Sequence, residues 1–341
     1  MMIVIHTVEM LLDVDYEEVL LLFKRYKIKA EVYEKFGAVV KKLTQNVKHE
    51  HPAFAFTWLS SKGKGLWNIH LKIDIVRLLR KSDITEKDYP IVEAQIRKFL
   101  IAQFGHSSHF DQHRLTRIDY KLDVVIPNKN HQKLIFHLFE KYTKKFRFKE
   151  MIKYGKNDKG EAIKYETSQY HKNNSVEFII YSKEDERLAK NEIIEPYEKD
   201  VIRYELRLKN RHLNAMKRTD GKGKGRPKKL IEYFKEDLYR EYMCEHITPI
   251  ARKGDYYKIT KAEQILESSH FTRKKKEKLR SFLIEISKNG IDSPKENLSA
   301  PTYRQYLKDL ESIGINPVLV PKNRTDFPTF MKNPFHINSS N

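Results

Sequence analysis

Residues 115–127 read LTRIDYKLDVVIP. Arg117, Asp119, Lys121 and Asp123 alternate with Ile118, Tyr120, Leu122 and Val124, the period-two pattern of a half-buried strand. Carboxylates spaced along one strand face are a means of holding a divalent metal over a sheet; the plain alternative is a solvated charged face. Two later stretches carry matching groups. In SVEFIIYSK (175–183), Glu177, Tyr181 and Lys183 oppose Val176, Phe178 and Ile180. In VIRYELRLK (201–209), Arg203, Glu205 and Arg207 oppose Ile202, Tyr204 and Leu206. A metal held by carboxylates polarises a phosphodiester. Arginines and lysines offset the extra charge on a pentavalent phosphorus. A tyrosine activated by a nearby metal or lysine is a nucleophile. Together these groups describe nuclease chemistry that passes through a covalent phosphotyrosine.

The elements that must position these residues are readable in outline. Residues 3–14 predict a strand, and Asp15 to Tyr26 a helix with acids in its first turn and bases in its last. AFAFTWL is a candidate strand within the less regular stretch 27–65. WNIHLKIDIV (67–76) is a further alternating strand, with His70, Lys72 and Asp74 on its polar side. Glu86 to Phe104 predicts a helix capped by Thr85 and ended by Gly105. Asn130 to Lys145 predicts another, with Leu134, Ile135, Leu138 and Phe139 on one face. A short strand is expected over Tyr165 to Tyr170. The order predicts an α+β domain: a central, mostly antiparallel sheet with helices on one face and charges on the other.

From Arg207 to Lys229 there are ten basic residues and one acid. Residues 218–229 read as a flexible basic linker, in which Lys222, Lys224, Arg226, Lys228 and Lys229 are placed to touch phosphates. The division is therefore 1–217, the linker, and a smaller, mainly helical domain over 230–341. There LIEYFKEDLYREYM, TKAEQILESS, FTRKKKEKLRSFLIEIS and SAPTYRQYLKDLESIG are the expected helices, the second with a Thr260/Glu263 capping box. Arg273, Lys274, Lys275 and Lys276 suit a helical DNA reader, and equally a solvated face.

Composition narrows the partners. The chain has 341 residues, 66 Lys plus Arg against 46 Asp plus Glu, and a net charge of +20. That excess calls for a polyanion, most often nucleic acid. No apolar run is long enough to span a bilayer, so no membrane partner is expected. The single cysteine, Cys244, rules out an internal disulfide and a cysteine zinc site, and fits a cytoplasmic location. Histidines offer other ligands: His49 and His51 flank Glu50, and His106, His109 and His113 sit in one loop.

The blocks RLTRIDYKLD, VEFIIYSKEDE and VIRYELRLK, in that order and spacing, resemble those of rolling-circle replication initiators. The similarity is to the filamentous-phage gene II/X replication proteins and the plasmid trans-acting Rep family. WNIHLKIDIV resembles their preceding strand, and NLSAPTYRQYLKDLESIGI the tail of the gene II type. The resemblance covers roughly residues 3–210 and 285–320. It implies nicking and rejoining of one strand at an origin, with a divalent cation (magnesium or manganese). By position it makes Tyr181 the nucleophile, with Tyr170 its rival, and Lys183 and Glu205 its catalytic neighbours. Asp119, Asp123 and Glu205 become metal ligands, and Arg117, Arg203 and Arg207 phosphate contacts. Origin DNA, double- and single-stranded, a host helicase and polymerase, and a homodimer are the partners it implies. Two features depart from the family: the tyrosine block reads Tyr-Ser-Lys instead of Tyr-Asp/Glu-Lys, and the His-hydrophobic-His motif of many nicking enzymes is absent. His70 and Asp74 are the nearest substitutes. The competing reading is a DNA-binding regulator that does not cleave.

Overall fold

The computed structural model describes residues 5–28, 36–63, 65–142, 150–152, 154–156, 162–164 and 167–335. Parts of three expectations (residues 3–4, 143–145 and 165–166) lie outside the described residues. The strands are β1 (Ile5–Asp15), β2 (Phe54–Gly63), β3 (Leu66–Asp74), β4 (Arg114–Val125), β5 (Glu150–Ile152), β6 (Tyr154–Lys156), β7 (Ala162–Lys164), β8 (Ser168–Lys172), β9 (Val176–Ser182), β10 (Val201–Lys209), β11 (Tyr256–Tyr257) and β12 (Phe330–Met331). The fold is α+β, an antiparallel sheet with helices. No helix among the described residues is long and apolar enough to cross a membrane.

The chain groups into two compact units, each discontinuous in sequence. The first holds Met1–Lys121, Asn174–Glu177 and Glu205–Glu241; the second holds Leu122–Asn173, Phe178–Tyr204 and Tyr242–Asn341. The basic stretch 218–229 thus lies within the first unit.

In the first unit the strand order is β2-β3-β1-β4-β10. β1 pairs antiparallel with both β3 and β4, placing Thr7 opposite Asp74 and Asp119, and Glu9 opposite Lys72 and Arg117. One face is apolar: Val8, Met10, Leu12, Ile69, Leu71 and Ile73 are fully or almost fully buried. Each such side chain contributes roughly 1.5–3 kcal/mol. The helix Tyr89–Phe104 covers this face through Phe99, which stacks on Phe54 at 4.0 Å. It ends at Gly105, whose φ of 83° is the left-handed cap the sequence predicts. Helix Tyr16–Arg25 opens with a capping box in which Asp15 and Glu18 each accept the other's backbone N–H. Helix Phe36–Glu50 falls in the stretch whose sequence showed no clear period.

The second unit carries the order β4-β10-β9-β8-β5. Its helix Lys129–Tyr142 buries Leu134, Ile135, Leu138 and Phe139, as the period predicts. Phe139 packs on Tyr204 and Phe335 at 5.3 and 5.9 Å. Toward the C-terminus, helices Ile259–Glu267, Arg273–Asn289 and Ala300–Ser312 pack together, with Phe282 edge-on to Tyr303 and Tyr306 at 5.6 and 5.4 Å. Lys258, not Thr260, stands at the N-cap of the first of these. The expected helix from Leu230 is two helices, Leu230–Tyr233, which belongs to the first unit, and Glu236–His246, which begins there.

Candidate metal centre and its charged sheet face

The alternation read in β4 and β10 is real. Arg117 and Asp119 bond to each other across one residue, as do Glu205 and Arg207, so each pair shares a face. What gathers on that face in the first unit is His6, Asp119 and Glu205, whose ligand atoms lie within 4.8 Å of one another. His6 enters through an irregularity. The register shifts between Ile5, opposite Tyr120, and Thr7, opposite Asp119. Strict alternation would send His6 to the apolar side with Val8 and Met10; the bulge re-aims it. His6 Nδ1 is buried and 3.3 Å from Glu205 Oε2, outside strict hydrogen-bond geometry, and no other partner in such geometry is found among the described residues.

Asp119 is fully buried. Arg117 Nε donates to it at 2.8 Å and Arg207 Nε at 3.1 Å, and Arg117 Nη2 also pairs with it. Arg207 further donates to Glu205 at 3.1 Å and to Glu177 at 2.7 Å, and Lys209 pairs with Glu177 at 2.5 Å. Three cations thus cancel three carboxylates. Burial pushes the Asp119 carboxyl up. Burial acts the same way on Glu205, but the His6 ring and Arg207 overcome it and hold that carboxyl well below the usual range.

The donor set fits a divalent ion. Two carboxylates and one imidazole suit manganese, and magnesium with its waters. The convergence of the His6, Asp119 and Glu205 ligand atoms to within 4.8 Å of one another is the observation that favours one.

The other expected site residues lie elsewhere. Asp123 belongs to a bidentate pair with Arg203, at 2.7 and 2.8 Å, and not to the three-ligand set. Four residues along a strand span about 13 Å, too far for Asp119 and Asp123 to share one ion. Arg203 is 1% exposed; as it stands its guanidinium serves Asp123 and does not face a surface phosphate. In the second unit, Tyr181 is 8% exposed and Tyr170, its rival, 37%. Lys183 Nζ lies 6.0 Å from the Tyr181 ring centroid and bonds to Glu186 at 2.5 Å. Burial and Arg203 push the Lys183 ammonium pKa down.

The histidine candidates divide by role. His70 pairs with Glu9 at 3.1 Å, and Asp74 caps the helix Ile75–Leu79 through the Arg77 N–H. His51 packs edge-on against Phe99 at 5.2 Å. His113 is buried and accepts the Leu230 N–H at 2.9 Å on Nε2. Of these loop and strand histidines, only His106 and His109 meet a third candidate ligand among the described residues, Glu18.

No family model matches the chain, and no curated protein matches its sequence.

The basic residues fall into two groups. Lys228 Nζ bonds to Asn210 and Asn214 at 2.5 and 2.9 Å, and its carbonyl accepts the Leu115 N–H at 2.8 Å. Lys229 reaches the carbonyls of Asp111 and His113, Lys224 pairs with Glu241, and Arg226 lies over Tyr233. The stretch 218–229 is therefore bonded into its unit at several points. Lys222 is exposed. On helix Arg273–Asn289, Lys275 pairs with Asp309 and Lys276 with the Glu267 carbonyl, while Arg273 and Lys274 are exposed.

Proposed function

We propose that this chain is a metal-dependent DNA nicking and rejoining enzyme that starts rolling-circle replication of a plasmid or phage. The reading rests on the His6–Asp119–Glu205 cluster, set among Arg117 and Arg207 on the charged sheet face. A divalent ion there supplies Lewis-acid polarisation of a phosphodiester oxygen. The protein's part is electrostatic. Arg117 and Arg207 hold Asp119 in place through Nε and Nη2, and the Arg117 guanidinium is the proposed donor for a phosphate oxygen. Tyr181 is the proposed nucleophile on the strength of its block, with Lys183 to favour the tyrosinate. Origin DNA, a host helicase and polymerase, a homodimer and a cytoplasmic setting belong to the same proposal.

Helix Arg273–Asn289 supports a nucleic-acid partner. Its first turn holds no acid, and Thr272 makes no side-chain cap. Basic residues at a helix N-terminus oppose the helix dipole, each costing about 0.3–1 kcal/mol. A bound phosphate would reverse that conflict.

A second reading, DNA binding without cleavage, is favoured by one observation: Tyr181 and Arg203 are both buried. The deciding experiment incubates the protein with supercoiled DNA carrying its own gene and flanks, with manganese, and resolves the products on a denaturing gel with and without protease. The nicking reading expects nicked DNA bearing a protease-sensitive adduct, lost in Tyr181→Phe. Binding with no nick or adduct in manganese, magnesium or cobalt overturns it in favour of the regulator. Nicking retained by Tyr181→Phe moves the nucleophile to Tyr170.

A further inference from the structure

A second ligand group lies in the first unit, away from the His6 cluster in sequence: Glu18, His106 and His109. Glu18 sits in the first turn of helix Tyr16–Arg25, and the two histidines lie on either side of Ser107 and Ser108, just beyond Gly105. Both imidazoles point Nε2 at the same oxygen, Glu18 Oε1, from 3.1 Å (His106) and 2.6 Å (His109). The other carboxylate oxygen, Oε2, is committed to the Asp15 N–H of the capping box. The two oxygens therefore have separate roles.

The histidines are held for this task. His106 Nδ1 meets Ser108 Oγ at 2.8 Å, which fixes the ring and leaves Nε2 as the inward atom. An outer hydrogen bond of this kind is how ligating imidazoles are oriented. His109 is packed edge-on against Phe104 at 5.1 Å, and the two imidazole centroids are 4.8 Å apart. Its side chain is 10% exposed, against 47% for His106. One side of the group thus opens to water.

Two imidazoles and one carboxylate form a set that binds zinc. Tetrahedral zinc with bonds of about 2.0–2.1 Å needs ligand atoms roughly 3.3 Å apart, and the present spacings need only small side-chain adjustments to reach that. We infer that Glu18, His106 and His109 form a zinc site whose fourth position is water. The ion would join the first turn of helix Tyr16–Arg25 to the segment that leads into β4. Two further bonds already tie that helix to helix Tyr89–Phe104: Arg25 to the Ala102 carbonyl and Tyr26 to Gln103. The chemistry differs from the His6 group, where two carboxylates favour a harder ion.

The test is equilibrium dialysis of the full chain, stripped by chelator, against zinc, with bound metal measured by mass spectrometry and thermal unfolding followed alongside. The variants are His106→Gln, His109→Gln and His6→Ala. His106 is exposed enough that His106→Gln should fold, which circular dichroism would check. The expected result is one equivalent of zinc fewer, or affinity roughly tenfold or more weaker, in both His106→Gln and His109→Gln. The zinc-induced rise in unfolding temperature should vanish with it, and His6→Ala should keep both. Equal zinc content in wild type and His106→Gln overturns the inference, as does zinc lost only in His6→Ala. Nicking by His106→Gln reports separately on the function proposed above.

Discussion

His113 provides a sharp test of how the basic stretch is fixed. The imidazole is buried, its Nδ1 faces the Phe110 carbonyl, and its Nε2 accepts the Leu230 N–H. Protonating Nε2 would destroy that acceptor in a site already short of water. Burial accordingly pushes the His113 pKa down to about 4 from 6.5. The folded value lies below the unfolded one, so the contribution to stability is complete above pH 6.5 and is lost as pH falls toward 4. Between those limits the unfolded chain binds a proton that the folded chain does not. Between pH 7 and pH 4.5 the loss from this one group is roughly 2 kcal/mol. The assay is a histidine NMR titration, joined to urea unfolding of wild type and His113→Gln at both pH values. Carboxylates contribute acid sensitivity to both proteins, so the difference between them isolates His113. The variant should be less stable at pH 7 and flatter with pH by about that amount. An ordinary His113 titration near 6.5, or identical pH dependence in the two proteins, would refute the reasoning.

Other outcomes follow from the same contacts. His6→Ala should weaken manganese binding at least tenfold, read by electron paramagnetic resonance, while leaving the fold intact, because the ring is not the partner that compensates Asp119; unchanged binding would remove His6 from the site. Arg207→Ala should destabilise by about 3–5 kcal/mol in urea, since it leaves buried Asp119 and Glu205 short of a compensating charge; a loss under 1 kcal/mol would mean that the network is weak. Lys274→Glu should raise the unfolding temperature slightly, by relieving the dipole conflict at its helix N-terminus, while lowering DNA affinity and flattening its salt dependence; loss of both stability and binding would contradict that account. Gly254→Ala should cost about 2–3 kcal/mol or more, because φ is +89° and a Cβ would come within 2.5 Å of the Ile315 backbone; wild-type stability would show that the turn can yield.

The antiparallel α+β architecture was legible because its strands alternate cleanly and its helices carry caps. Asp119 and Glu205 were legible as candidate ligands because each places a carboxylate on the charged side of an alternating strand. His6 was not. Its place depends on a bulge opposite Tyr120 and Asp119, which no spacing in IVIHTVEM announces; the only cue was a histidine at an apolar position of a strand. Asp123 was grouped with Asp119 because alternation reports a shared face and not a distance. The loop histidines looked equivalent in sequence. Only tertiary partners separate His113, bonded to a backbone amide 117 residues away, from His106 and His109 at Glu18.

Under the proposed function, the inward turn of the strand arginines means that DNA affinity would have to come from other groups. Arg203 is spent on Asp123, and Arg117 and Arg207 on Asp119, so these residues add little net field at the surface. The excess charge of +20 has to be carried by groups such as Lys222 and Lys274, which are exposed. Such contacts bind phosphates without reading sequence. The cluster at Asp119 acts differently. With three cations against three carboxylates it is close to neutral, and a divalent ion at His6, Asp119 and Glu205 would make it positive by two charges. A phosphodiester would then be drawn to that point only when the ion is present. On this reasoning, substitutions at the exposed lysines lower affinity and its salt slope while sparing the rate on saturating DNA. Substitutions at His6 do the reverse. Measuring both quantities for both kinds of variant separates docking from chemistry, and a variant of either kind that moved both together would show that the two are one surface.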